Sequence, residues 1–199
     1  MVSTNLRQGV FMIKSIMTIV ATALMVISFS GCSKVTQFNK LDDQAMDAYM
    51  DMFGNVLEYG DPARAMMLEW KVNEDLSNED VVESIKALSE EYNMRVTGDM
   101  RMYTKDDAAP EEVKHARTIS LCNLNIAKVF LNHSRWYGGF MPCRIMLVEY
   151  GNGDRYLITM DMKLAIHGGY TLPPEMLEMA SMVRKAMEEV PARAAEGDF

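Results

Sequence analysis

Apolar residues along this chain alternate, recur every third or fourth position, or run together, and each pattern names an element. From Ser15 to Ser30 they run almost unbroken. Leu41, Ala45, Met46, Tyr49, Met50, Phe53, Val56 and Leu57 then recur at helical spacing with acids between them, which predicts an amphipathic helix ending near Gly60. RAMMLEWKV (64–72) suits a strand. In LSNEDVVESIKALSEEYNM, Ser77 stands three residues before Asp80 in a capping arrangement, and Val81, Ile85 and Leu88 line one face of the helix that follows. RVTGDMRMYT alternates as a second strand and RTISLC reads as a third, separated by a charged loop over 105–115 that contains Pro110. Asn123 is placed to cap a helix through Ile126, Ala127, Phe130 and Leu131 to Gly138 and Gly139. MPCRIMLVEYGNGDRYLITM reads as two strands joined at Gly151-Asn152-Gly153-Asp154, a composition typical of hairpin turns. After the loop IHGGYTL, Pro173 and Pro174 open a last helix carrying Met176, Met179, Met182 and Val183, and PARAAEGDF reads as a frayed tail.

This order, β-α-β-β-α-β-β-α behind a preceding helix, predicts an α+β fold: a mainly antiparallel sheet with helices on one face. No internal repeat is present. The expected organisation is a removable leader over 1–31, a polar tether over 32–40, the amphipathic helix over 41–60, one α+β domain over 61–190 and a flexible tail over 191–199.

The leader follows from its charges and length. Arg7 and Lys14, with no acid before residue 31, precede an apolar run shorter than the roughly 20 residues of a membrane-spanning helix, as in a secretory signal. Met12 serves equally as a start, because MIK and the run already make a complete signal. The stretch FSGC resembles the lipobox of bacterial lipoproteins, although Phe29 stands where Leu is usual. That resemblance implies that Cys32 is diacylated on sulfur and becomes the new N-terminus, tethering the chain to a membrane through lipid. Ser33, rather than Asp, resembles the sorting signal for the outer membrane, facing the periplasm.

Composition narrows the partners. The whole chain has 199 residues and a formal net charge of −8. Without residues 1–31, which hold two of its cations and no acid, 168 residues remain, with 18 Lys and Arg against 28 Asp and Glu. A domain of this length buries a core without staples. Its acidity argues against nucleic acid as a partner, which needs clustered cations.

TISLCNLNIAKVFLN followed by GGFMPCRIMLVEYGNGDRYLITMD combines a strand ending in Cys-Asn, a helix, a glycine-containing turn, and Pro-Cys-Arg opening a hydrophobic hairpin. The combination resembles the family known as domain of unknown function 302, over roughly residues 64–163 and most strongly from Thr118. The resemblance implies an α+β domain that self-associates as a homo-oligomer, expected to be a homodimer, and implies no activity. The leader, the helix at 41–59 and the extended last helix depart from it and inherit nothing.

Candidate chemistry rests on few residues. Cys122 ends a strand just before a helix N-terminus, where unpaired N–H groups favour a thiolate, the state a redox thiol or a metal ligand needs; the competing reading is a small buried hydrophobe. Cys143 starts a strand after Pro142 and shares a face with Ile145, Leu147 and Glu149. Arg144 lies on the other face and is a candidate anion contact, its competing role being a structural ion pair. If the strands flanking the 124–137 helix ran parallel, the two thiols would be too far apart to bridge, so two separate thiols are expected. The sixteen methionines that remain after the leader, some paired as Met100/Met102 and Met160/Met162, suit copper as a cofactor or, equally by spacing, adaptable packing. His133 and His167, with Trp136 and Tyr137, are candidates for a shared pocket. No Cys-x-x-Cys, His-Glu-x-x-His, Gly-x-Ser-x-Gly or P-loop occurs. The leading expectation is therefore a non-catalytic binding or accessory module, with a thiol-based redox or sulfur-handling protein and a copper-binding protein as alternatives.

Overall fold

The alternating segments form five strands, β1 (Met67–Lys71), β2 (Arg95–Thr104), β3 (Val113–Cys122), β4 (Cys143–Tyr150) and β5 (Arg155–Met160). They make one sheet in the order β1-β5-β4-β3-β2, every neighbouring pair antiparallel. The structure is a computed structural model describing residues 37–199, so the leader and the expected lipidation site Cys32 lie outside the described residues. Asp42–Phe199 form one compact unit. Its helices are α1 (Ala45–Tyr59), α2 (Asn78–Glu91), α3 (Leu124–His133), α4 (Lys163–His167) and α5 (Pro174–Glu196).

Local chemistry accounts for most element ends. Ser77 and Asp80 form the reciprocal capping box of α2. The Ile126 N–H donates to Asn123 Oδ1 at 3.2 Å, so Asn123 caps α3 as expected. Gly60 closes α1 at φ +65°, a conformation that favours glycine. Gly151 is required by proximity: a Cβ there would lie 2.1 Å from the Ala109 carbonyl oxygen, because the 105–112 loop hydrogen-bonds onto the hairpin turn.

β4 is the central strand, which explains apolar residues on both its faces. Against one face, α2 and α5 bury Ile119, Leu121, Ile145, Leu147 and Leu157 completely, together with Val81, Ile85, Leu88, Met187 and Val190. Each such side chain contributes about 1.5–3 kcal/mol. A second cluster, Phe130, Ile166, Leu172, Met176 and Ala180, joins α3 and α4 to the first half of α5.

Several expected boundaries are corrected. Residues 64–66 are a 3-10 turn, started where the Ala63 N–H bonds Asp61 Oδ1, and the strand begins at Met67. β3 begins at Val113, four residues before the expected strand, because β2 continues to Thr104 and pairs Ala116 and His115, the polar Lys114 and His115 having hidden the alternation. The helix after Asn123 stops at His133, and Arg135–Phe140 is a separate 3-10 segment. Part of the expected loop after β5 is the short helix α4. The tail expected to fray continues α5 to Glu196: Pro191, Ala194 and Ala195 are buried, and the Asn73 N–H donates to the Ala195 carbonyl at 2.8 Å.

Candidate functional site

Because side chains alternate along a strand, register determines what the sheet presents away from α2 and α5. Glu69, Ile158, Met146, Thr118 and Met100 lie side by side across β1, β5, β4, β3 and β2. One row toward the β4 start come Met67, Met160, Arg144 and Ser120; one row the other way come Lys71, Tyr156, Val148, Ala116 and Tyr103. The helices of both buried clusters pack on the opposite side, and nearly all of these residues remain half-buried or exposed. Among the described residues the result is a methionine-rich sheet face that α2, α3 and α5 leave open, with Met160 at its edge lining a cavity of about 280 Å³ beside Ala48, Asp51 and Met52 of α1.

Two arginines stand at one end of this face. Arg144 is exposed, as is Arg95, which pairs in register with Cys122. Among the described residues neither guanidinium has a hydrogen-bond or ion-pair partner, so the structural ion pair weighed for Arg144 is absent. Lys71, by contrast, bonds Asp154 at 2.9 Å. The cation at Arg95 and the uncovered methionines escaped the sequence reading, because alternation on a central strand does not say which face receives helices.

Of the two readings weighed for Cys122, burial of the thiols favours the packed hydrophobe over the thiolate. β3 and β4 are antiparallel neighbours with Leu121 opposite Cys143, so the parallel arrangement considered above does not occur. Both cysteines are nevertheless free: Cys143 shares the helix-covered face with Leu121, whereas Cys122 lies on the uncovered face. Burial pushes the Cys122 thiol up. Burial, assisted by the neighbouring Cys122 thiol, pushes Cys143 up to about 11. Cys143 lines a cleft of about 60 Å³ with Phe130, Tyr137, Met162 and Ile166, far smaller than the roughly 300–1,000 Å³ of small-molecule sites.

His133 and His167 sit in different surroundings. His133 is exposed at the end of α3, its ring 6.3 Å from that of Tyr137. His167 is buried, with Nδ1 3.0 Å from Asp42 Oδ1. Burial pushes the Asp42 carboxyl up, but hydrogen bonds from the Gln44 N–H and His167 outweigh it and hold it below its usual value. Trp136 is three-quarters exposed and lines no pocket with them.

The remaining polar cluster lies on the helix side. Arg117 donates to Asp99 through Nε at 2.6 Å and Nη2 at 2.8 Å, and to both Glu79 oxygens at 2.9 Å. Lys86 reaches Asp99 at 3.1 Å. Every acid there has a cation, which makes the group a structural tie between α2, β2 and β3. Of the methionines considered for copper, Met176 is buried in the second cluster and Met179 packs against it, whereas Met100 and Met102 are exposed. Among the described residues no three His, Cys, Asp or Glu side chains converge as a metal site.

Such features define a two-layer α+β protein whose distinguishing surface is a sheet face. Over residues 68–190 the chain matches the family described as "Domain of unknown function DUF302", and it belongs to that family. It is similar to the uncharacterized conserved protein DUF302 from Bacillus stearothermophilus, whose crystal structure aligns with a TM-score of 0.50 at 15% identity, covering 65% of this chain and 98% of that one. At that identity the likeness concerns the fold. No curated protein matches the chain.

Proposed function

We propose that this protein is a lipid-anchored, non-catalytic binding module of the cell envelope, held through Cys32 at the outer membrane and facing the periplasm, with the uncovered sheet face as its working surface. The observation that carries the reading is the composition of that face. Antiparallel sheets tolerate one solvated side when it is polar, but here Met67, Met100, Met146, Met160, Val148 and Ile158 occupy it. Contiguous apolar surface of this kind marks interaction sites, and methionine adapts to a partner's shape.

The test is methionine oxidation by dilute peroxide, read by peptide mass spectrometry in intact cells and in detergent-dispersed, highly diluted protein. Met67, Met100, Met146 and Met160 are expected to be oxidised several-fold more slowly in cells, relative to Met182, which is half-exposed on α5. Equal oxidation in the two states would exclude the sheet face as a covered surface.

A further inference from the structure

At the end of β5 a cavity of about 280 Å³ lies between α1, the 3-10 turn over 64–66 and α4. Its origin is the size of the side chains there. Ala48 of α1, Ala65 of the turn and Ala165 of α4 all line it, so three elements meet with methyl groups where longer side chains would close the space. α1 is fastened around it. The Tyr49 hydroxyl donates to the Gly168 carbonyl at 2.8 Å, the Asp42 N–H donates to the Gly169 carbonyl at 2.8 Å, and the Arg64 guanidinium lies 3.9 Å from the centre of the Tyr59 ring. Such ties form the wall before any ligand arrives, which lowers the cost of binding. The family match starts at residue 68, so α1 and the turn add this wall to the matched region.

The lining is apolar with one charged end. Met52, Met66 and Met160 bring three thioethers and Phe140 a ring, groups that pack readily against an aliphatic or aromatic body. The charged side chains are Asp51, Asp161 and Lys163. Lys163 Nζ bonds Asp51, which leaves that pair neutral. Asp161 Oδ1 accepts the Lys163 N–H at 2.8 Å, and among the described residues no cation pairs with its carboxylate. An apolar occupant would strip water from that carboxylate and return nothing, and an anion would meet a like charge.

From this lining we infer that the cavity binds a small organic monocation, an ammonium group carried on an aliphatic or aromatic body, with Asp161 against the ammonium. An apolar cavity of about 150 Å³ admits benzene, so by proportion this one holds a molecule of roughly eleven non-hydrogen atoms. Its volume is close to the roughly 300 Å³ at which small-molecule sites begin. The site shares only Met160 with the open sheet face and stands whether or not that face binds a partner.

The experiment uses the full chain in phospholipid nanodiscs, with isotopically labelled methionine methyl groups read by NMR. Phenylbutylammonium, a probe of the inferred size, is expected to shift the Met52, Met66 and Met160 signals together and saturably, while Met100 and Met182 stay unmoved. Phenylbutanol has the same shape without the charge and is expected to bind about tenfold more weakly; phenylbutanoate is expected to leave the signals unchanged. Asp161→Asn keeps an oxygen for the Lys163 N–H and removes the charge. It is expected to weaken the amine about tenfold and to leave the alcohol as it was. Ala65→Leu fills the cavity and is expected to abolish both; should circular dichroism show that variant unfolded, Asp161→Asn with the amine and the alcohol decides alone. No saturable shift, equal affinity for amine and alcohol, or shifts confined to Met100 and Met146 of the sheet face would overturn the inference.

Discussion

At the scale of single residues, the paired charges and the thiols behave in opposite ways. Arg117 hydrogen bonds, opposed by burial and assisted by Lys86, hold Asp99 at about 2 against an ordinary 3.8. Between those values the unfolded chain binds a proton that the folded chain does not. Asp99 therefore contributes stability that is complete above the unfolded value and is lost as pH falls through the folded one. The contribution is about 1–2 kcal/mol, since the side chain is partly exposed. Urea titrations at pH 5, 4, 3 and 2 should show Asp99→Asn losing less stability than the unaltered protein across pH 4 to 2; parallel curves would remove Asp99 from the account. For the thiols, burial opposes ionisation, so alkylation of Cys122 should have a midpoint above the free value of about 8.5, with Cys143 slower still. A midpoint for Cys122 below that value, measured by mass spectrometry against pH, would restore a reactive thiolate.

At the scale of elements, α5 extends well past the point where sequence suggested a loose end. Pro191, Ala194 and Ala195 pack in the main core, Arg193 bonds Glu91 at 2.8 Å, and Ser84 Oγ donates to the Asp198 carbonyl. Small side chains in a polar-looking stretch gave no periodic signal, yet helix packing favours small residues where another chain segment approaches closely. Three buried small apolar groups and the Asn73 to Ala195 hydrogen bond amount to about 3 kcal/mol. Removal of residues 191–199 is expected to lower the urea midpoint accordingly. An unchanged midpoint would return the segment to the status of a tail. α1 is the converse case: its apolar periodicity was plain, but its buried face is the alanine side and its larger apolar residues point outward.

At the scale of the whole molecule, the decisive fact is the number of layers. Helices on one side bury one face of the sheet, and a two-layer protein must either make its second face polar or cover it. Here the second face keeps methionine, valine, isoleucine and tyrosine, interrupted by Thr118, Ser120 and two arginines that have no partner among the described residues. The chain as a whole is acidic, with 28 Asp and Glu against 20 Lys and Arg, so a cationic end on this face stands out against its surroundings.

The sequence by itself determined most of the element types, the α+β class, the caps at Ser77 and Asn123 and the hairpin at 151–154. Each depends on residues close in the chain: alternation, helical spacing, and turn or cap side chains act within a few positions. Only the tertiary structure decided which sheet face the helices cover, that β3 and β4 are antiparallel neighbours, that Cys122 and Cys143 lie on opposite faces, that His167 is buried against Asp42 while His133 is exposed, and that Arg117 joins Asp99 and Glu79. Those facts are set by packing among residues distant in the chain, Arg117 and Glu79 for example being 38 positions apart. A local pattern fixes a side chain's face on its own strand, but which face meets a helix is settled by the layers that bury it.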